Sequence, residues 1–132
     1  MQRFVILATL VLLAGCQSVD GTYRPGCVAF EGDEVSLSGG SFVWDRFTDQ
    51  VAVDEDGAVV DPFPDYPRRG SFRLDGNRLE LAFADGSAAQ TLFLVQEKGG
   101  RLRLLTNEQR AAYERSGRVP EGALSRDAPA GA

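Results

Sequence analysis

Histidine is absent from the 132 residues of this chain, and lysine occurs once, at Lys98. Without histidine the chain lacks the imidazole base, the Ser-His and Cys-His nucleophile pairs and most zinc sites. Lys98 lies in a turn-like sequence before two glycines, a poor setting for the desolvated amine of a Ser-Lys pair. No glycine-rich phosphate loop is present. We therefore expect a protein that is not an enzyme, with no cofactor and no metal site.

Long apolar runs are also scarce, and the longest runs from Phe4 to Ala14, eleven residues. As a helix this segment would rise about 16 Å, roughly half the hydrocarbon thickness of a bilayer. It is too short to span a membrane. Because Arg3 precedes it and small residues follow it, the pattern is typical of an export signal.

The end of this leader, Leu13-Ala14-Gly15-Cys16, resembles the lipobox of bacterial lipoprotein precursors. The resemblance implies cleavage between Gly15 and Cys16 and acylation of Cys16. Two acyl chains already give stable membrane anchoring, so we expect a lipid-anchored protein. Gln17 stands where an aspartate usually retains such proteins in the inner membrane, which favours the periplasmic face of the outer membrane. The alternative is a plain secretory signal followed by a chance cysteine.

These features divide the chain into four predicted segments. Residues 1–15 are the signal peptide, 16–20 the lipidated anchor with a short tether, 21–124 a β domain, and 125–132 a disordered tail. Acylation of Cys16 leaves Cys27 without a disulfide partner, and we interpret it as a small buried apolar residue. A disulfide to another chain and a reactive thiol are the alternatives.

Charge is distributed unevenly. Loss of Arg3 with the leader leaves thirteen of fourteen basic residues against nineteen acidic ones, a net charge of −6. Residues 20–65 hold eleven acidic and two basic residues, whereas residues 66–132 hold eight acidic and eleven basic ones. The overall acidity argues against nucleic-acid binding. Either the two halves neutralise each other across paired strands, or an acidic face serves a basic partner.

From Gly21 onward the pattern is one of short strands separated by Gly, Asp and Pro. The predicted strands cover residues 27–30, 34–38, 41–48, 50–53, 58–60, 70–74, 78–84, 89–97 and 101–105. Gly32-Asp33 is read as a turn. Alternation places Leu102 and Leu104 inside and Arg101 and Arg103 in solvent. The segment 119–124 is predicted to be a short extended tail.

One helix is predicted at about residues 107–116. Thr106 or Asn107 is its cap, Gln109 completes a capping box with Thr106, and Gly117 ends it. So short a helix must pack on other elements, and we expect Tyr113 to cover an open edge or end of the sheet. The fold class is thus mostly β, an antiparallel up-and-down meander forming a small barrel or half-barrel, with one short C-terminal α-helix. By order of elements it resembles small lipocalin-like or META-like envelope lipoproteins.

The irregular segment 61–69 contains three prolines, which exclude ladder pairing and predict a loop. Phe63, Tyr66, Arg68 and Arg69 make it a candidate binding loop. The alternative is a connection whose aromatic rings plug one end of the barrel.

Exposed arginines form a second candidate surface. The predicted strands and their flanks carry Arg68, Arg69, Arg73, Arg78, Arg101 and Arg103. They either pair with Glu80 and Glu97 across strands or form a stripe for anionic lipid headgroups. Glu80 with Asp85 or Glu97 is also the nearest arrangement to the paired carboxylates of a glycosidase.

We expect a non-enzymatic, monomeric cell-envelope lipoprotein that binds a partner protein or a small apolar ligand at the membrane surface. An envelope protein inhibitor or assembly factor acting through the proline-rich loop is the alternative. A small hydrolase that uses carboxylates is the third hypothesis.

Overall fold

The computed structural model describes residues 18–26 and 29–126. The predicted signal peptide with its Gly15–Cys16 cleavage site, and also Cys27, lie outside these residues. The described elements are β1 (Gly21–Pro25), β2 (Glu31–Ser38), β3 (Ser41–Thr48), β4 (Ala52–Val53), β5 (Val59–Val60), β6 (Arg68–Asp75), β7 (Arg78–Phe83), β8 (Gln90–Gln96), β9 (Leu102–Leu105), α1 (Asn107–Ser116) and β10 (Leu124–Arg126).

Eight of these strands form a closed barrel in the order β1-β10-β9-β8-β7-β6-β3-β2. All neighbouring pairs are antiparallel. β4 and β5 form a separate two-stranded sheet. The predicted fold class, mostly β with an antiparallel barrel and one short C-terminal helix, is confirmed. The barrel is complete rather than a half-barrel, and closure leaves its strands without free edges.

Large apolar side chains fill the barrel interior. Period-two alternation turns Val35 and Leu37 of β2 and Leu79 and Leu81 of β7 inward. The buried cluster comprises Tyr23, Val35, Leu37, Phe42, Leu79, Leu81, Phe83, Leu92, Leu102 and Leu104. An eight-stranded barrel is just wide enough for such side chains to fill it.

A close approach of two strands inside the barrel depends on Gly70. A Cβ atom on Gly70 would overlap the carbonyl oxygen of Ala82 on β7 and would lie 2.8 Å from the Phe42 ring. Glycine is therefore required there because the neighbouring backbone and ring occupy the position of a side chain.

The helix α1 packs on the outer wall of the closed barrel. Tyr113 and Val119 pack against a second cluster that includes Phe93 and Val95 of β8. The expectation that Tyr113 covers an open edge or end of the sheet is wrong, because Tyr113 packs on the outer wall beside β8 and closure leaves no open edge. The capping box is confirmed, since Thr106 Oγ1 accepts from the Gln109 backbone at 3.1 Å and Gln109 accepts from the Thr106 backbone at 2.9 Å. Gly117 ends the helix with φ 74°.

Two sequence predictions near the start of β2 are wrong: the turn at Gly32-Asp33 and the placement of Phe30 in a strand. β2 begins at Glu31, so Gly32-Asp33 is part of a strand, and Phe30 lies outside any strand. β2 pairs with β3 over its whole length, from Glu31 opposite Thr48 to Ser38 opposite Ser41. Glycine is favoured at position 32 because a Cβ atom there would lie only 2.8 Å from Pro25 Cγ.

The end of the domain also differs from the sequence prediction. Ser125 and Arg126, assigned to a disordered tail, belong to β10, which closes the barrel between β9 and β1. Leu124 pairs with Leu104, and Arg126 pairs with Tyr23. A strand of three residues is too short to show alternation, so the sequence pattern does not reveal it. Residues 127–132 lie outside the described part of the chain.

Candidate functional site

Antiparallel pairing determines which connections share an end of the barrel. The end from which β4 and β5 project, here called the hairpin end, includes residues 29–30, the segment 49–67, the connection 84–89 and the start of α1. The N-terminal end consists of residues 18–20 and the turns at 39–40, 76–77 and 97–101. The two ends therefore present different sets of side chains to their surroundings.

The hairpin formed by β4 and β5 extends from the hairpin end. Val53 lies directly opposite Val59, and Ala52 lies opposite Val60. Asp54 fixes the turn, because its carboxylate accepts from the backbone N–H of Asp56 and Ala58, both at 2.9 Å. This Asx-type bonding, which Asp readily provides in turns, holds the two short strands in register.

The hairpin exposes an unusual amount of apolar surface. Val59 is 75% exposed, Val53 is 58% exposed and Val51 is 73% exposed. Phe30, 67% exposed, lies at the base of the hairpin, where its carbonyl accepts from the Asp49 backbone at 2.9 Å. We call Phe30, Val51, Val53 and Val59 the valine patch. Contiguous exposed apolar groups with a polar surround are typical of interaction sites.

The chain segment that carries three of the four residues of the valine patch is acidic. The segment 49–61 contains no basic residue and five acidic ones: Asp49, Asp54, Glu55, Asp56 and Asp61. The described ion pairs join residues of the same half of the chain, such as Arg46 with Asp33 and Arg103 with Glu97. The two halves therefore do not neutralise each other through these pairs, and the acidic character of the hairpin persists at the surface.

The structure does not bring the four residues of the predicted binding loop into one surface. Phe63 and Tyr66 contact each other edge to face, with ring centroids 6.4 Å apart, and both are half-buried. The Arg46 guanidinium lies over the Phe63 ring at 4.9 Å. Arg68 and Arg69 belong to β6 rather than to the loop.

Arg68 covers the core at the hairpin end. Its guanidinium lies 3.8 Å above the Phe83 ring, donates to Ser87 and forms an ion pair with Asp85 at 3.7 Å. Hydrogen bonds from Ser87, assisted by the Arg68 charge, lower the pKa of Asp85. Arg69 is exposed. An ion-paired arginine thus covers part of the core at this end, while Phe63 lies against Arg46.

A second polar group lies beside Arg68 at the same end. Asp33 accepts from the indole N–H of Trp44 at 3.1 Å and pairs with Arg46 at 3.2 Å. Trp44 also packs against Phe83, with centroids 6.4 Å apart. Asp33 thus gives the Trp44 indole its hydrogen-bond acceptor and the Arg46 guanidinium an opposite charge where the apolar interior meets solvent.

Arg103 is buried, so the prediction that it lies in solvent is wrong. It is 8% exposed, and it donates to the carbonyls of Ala123 at 2.9 Å and Leu124 at 3.1 Å. Its guanidinium also pairs with Glu97 at 3.0 Å. Alternation correctly turns it away from the barrel interior, but the return of the chain into β10 covers it. Only knowledge of that closing strand would have predicted its burial.

The carboxylates considered for a hydrolase lie in separate ion pairs. Glu80 lies between Arg73 at 2.8 Å and Arg78 at 3.6 Å, whereas Asp85 pairs with Arg68. Glu97 pairs with Arg103. Within residues 18–26 and 29–126, no group of three or more His, Cys, Asp or Glu side chains is placed to hold a metal ion.

Comparisons with protein-family models, with curated proteins and with solved structures find no match to this chain. In the part of the chain that the structure describes, no helix has the length and apolar character needed to cross a membrane.

Proposed function

We propose that this chain is a protein-binding lipoprotein of the cell envelope, in which the barrel is a rigid support and the valine patch contacts the partner. The observation that carries the proposal is the exposed pair Val53 and Val59, directly opposite each other on a hairpin outside the barrel. The partner has an apolar depression bordered by lysine or arginine, because the chain segment that carries most of the patch is acidic.

The expected energetics agree with a specific contact. Burial of an exposed valine contributes roughly 1.5 kcal/mol or more. A few central apolar side chains of this kind usually supply most of the affinity of an interface, while the charged border affects partner choice and association rate. Asp54 holds the turn in one conformation, which reduces the entropy lost on binding.

The cluster of fully buried side chains in the barrel interior favours a protein partner over a small apolar ligand. Tyr23, Val35 and Leu81 are fully buried among the other core side chains. A carrier barrel instead encloses a cavity of several hundred Å³. The alternative of an inhibitor that acts through the proline-rich loop involves the same end of the barrel. However, Phe63 and Tyr66 are half-buried against each other and offer less apolar surface than the hairpin.

A lipid anchor at Cys16 would place the valine patch on the side of the barrel that faces away from the membrane. Residues 18–20 are fixed at the N-terminal end, since Arg126 donates to the Ser18 carbonyl at 2.6 Å and Tyr23 donates to the Val19 carbonyl at 2.7 Å. Tilted strands of eight residues place the opposite end roughly 20 Å further from that attachment. The hairpin would then point away from the bilayer toward other envelope proteins.

Site-specific photo-crosslinking in cells tests the proposal. A photoreactive residue at position 59 should give one dominant protein adduct, whereas the same residue at exposed Ser71 on the barrel wall should give little. The double variant Val53→Thr with Val59→Thr keeps β-branched side chains and should reduce an adduct formed from position 51 at least tenfold. Equal adducts from positions 59 and 71, or an unchanged adduct in the double variant, would contradict the proposal.

A further inference from the structure

The N-terminal end carries a groove whose charge is opposite to that of the hairpin. The groove lies between the turn that joins β8 to β9 and the end of α1, and its volume is about 750 Å³. Its lining includes the cationic residues Lys98, Arg101 and Arg118, together with Tyr113 and Val119. The helix reaches this end because it begins after β9 at the hairpin end and runs back along the barrel wall.

The positive charge of the groove is not neutralised within the described structure. Glu97, the acidic residue of the lining, pairs with Arg103 at 3.0 Å. Among residues 18–26 and 29–126, Lys98, Arg101 and Arg118 have no carboxylate within ion-pair distance, and all three are exposed. Three cations therefore lie around a partly apolar groove floor formed by Tyr113 and Val119.

The point where the chain enters the barrel lies at the same end. Arg126 and Tyr23 hold residues 18–20 there, and Gly39 donates its backbone N–H to the Asp20 carboxylate at 3.1 Å. Cys16 is two residues before Ser18, a reach of about 7 Å. An acylated Cys16 would keep this end against the headgroup layer.

We propose that the groove formed by Lys98, Arg101 and Arg118 docks on anionic lipid headgroups and orients the anchored barrel on the membrane. This inference rests on the proposed anchor and deepens it, because the contact would hold the acidic hairpin away from the bilayer. The net negative charge of the whole chain does not prevent the contact. Interactions between exposed charges are screened beyond about 8 Å at physiological ionic strength, so the local cations dominate.

Vesicle binding by a chain that starts at residue 16 and carries Cys16→Ala tests the groove separately from the acyl chains. The strands of the closed barrel all lie within the described residues 18–26 and 29–126, so this chain keeps every one of them. Each basic residue near an anionic surface strengthens binding roughly fivefold. The triple variant Lys98→Gln, Arg101→Gln, Arg118→Gln should therefore bind vesicles of phosphatidylcholine with roughly 30% phosphatidylglycerol about 100-fold more weakly. Added salt should weaken wild-type binding.

A matched control carries Arg69→Gln, Arg73→Gln and Arg78→Gln on the outer wall of β6 and β7. It has the same net charge as the groove variant and should bind within about threefold of wild type, because its changes lie outside the groove. Equal losses in the two triple variants, or absence of wild-type binding to anionic vesicles, would overturn the inference. If the wild-type chain binds a polyglutamate peptide but not the anionic vesicles, the inference is overturned in favour of an acidic protein partner.

Failure of this inference is distinguishable from failure of the proposed function. Vesicle binding is measured with purified protein in the absence of any partner, whereas the hairpin is tested by its adduct in cells. Mass spectrometry of the mature N-terminus tests acylation of Cys16 independently of both. Loss of the groove effect with an intact position-59 adduct would leave the protein-binding proposal in place.

Discussion

Leu81 and Val59 are both apolar strand residues, but Leu81 is fully buried in the barrel whereas Val59 is three-quarters exposed on the hairpin. The barrel strands have two neighbours each and share one interior. β4 and β5 have only each other as sheet partners. An isolated two-stranded hairpin has little apolar support of its own. The contrast separates a region that carries stability from a region that presents surface.

The largest effect should come from Gly70 in the barrel. Gly70→Ala places a Cβ atom against the Ala82 carbonyl and the Phe42 ring, so two strands must separate. We expect a loss of about 3 kcal/mol in the free energy of unfolding. Ser71→Ala, at the exposed next position, is the control and should change it by less than about 0.5 kcal/mol. Denaturant unfolding measures both, and similar values for the two would contradict tight packing of β6 on β7.

Replacement of Arg103 should have the next largest effect. Arg103→Met leaves the Ala123 and Leu124 carbonyls and the Glu97 carboxylate without their donor. We expect a loss of about 2 kcal/mol in the free energy of unfolding. This is less than for a fully buried ion pair because water reaches Glu97. Arg101→Met, two residues earlier and exposed, should cost less than about 0.5 kcal/mol. Equal stabilities of the two variants would show that Arg103 does not hold β10 in place.

Alkaline pH should weaken the barrel through Tyr23. Burial raises the pKa of Tyr23 above its ordinary value of 10.0, because its phenol must remain neutral inside the barrel. Folding therefore favours the protonated phenol, and this contribution is complete below pH 10 and is lost as the pH rises beyond it. Unfolding experiments from neutral pH to about pH 11 should show a steeper alkaline loss for wild type than for Tyr23→Phe. Parallel curves would contradict this assignment.

The smallest effect on stability should come from the valine patch. Val53→Thr with Val59→Thr should change the unfolding free energy by less than about 0.5 kcal/mol, because both side chains are already in water. Leu81→Ala should cost roughly 3 kcal/mol by comparison. A large destabilisation by the valine changes would show that the hairpin contributes to folding rather than to contact with a partner.

Local patterns in the sequence predict much of the barrel. Alternation identifies the inward face of β7 from Leu79, Leu81 and Phe83, and the Asp75-Gly76-Asn77 turn places its hairpin with β6. The capping box at Thr106 and the glycine at position 117 correctly bound α1. These features depend on residues close together in the chain, so the sequence contains the information directly.

The remaining features depend on distant parts of the chain. β10 is three residues long and is stabilised by β1 and β9, which lie far from it in sequence. The same closure buries Arg103, which alternation alone assigns to solvent. Exposure of Val53 and Val59 follows from the lack of a packing partner for their hairpin, a property of the assembled fold. The sequence alone therefore predicts the candidate surface in the neighbouring proline-rich loop instead.

Hydrogen exchange on the purified complex, captured through a crosslink from position 51, shows whether the β4–β5 hairpin is the surface that contacts the partner. We expect the amides of residues 52–60 to exchange more slowly in the complex than in the free protein, while the exchange of amides in the β6–β7 wall does not change. Slower exchange confined to the barrel wall or to the proline-rich loop, with the hairpin unchanged, would contradict it.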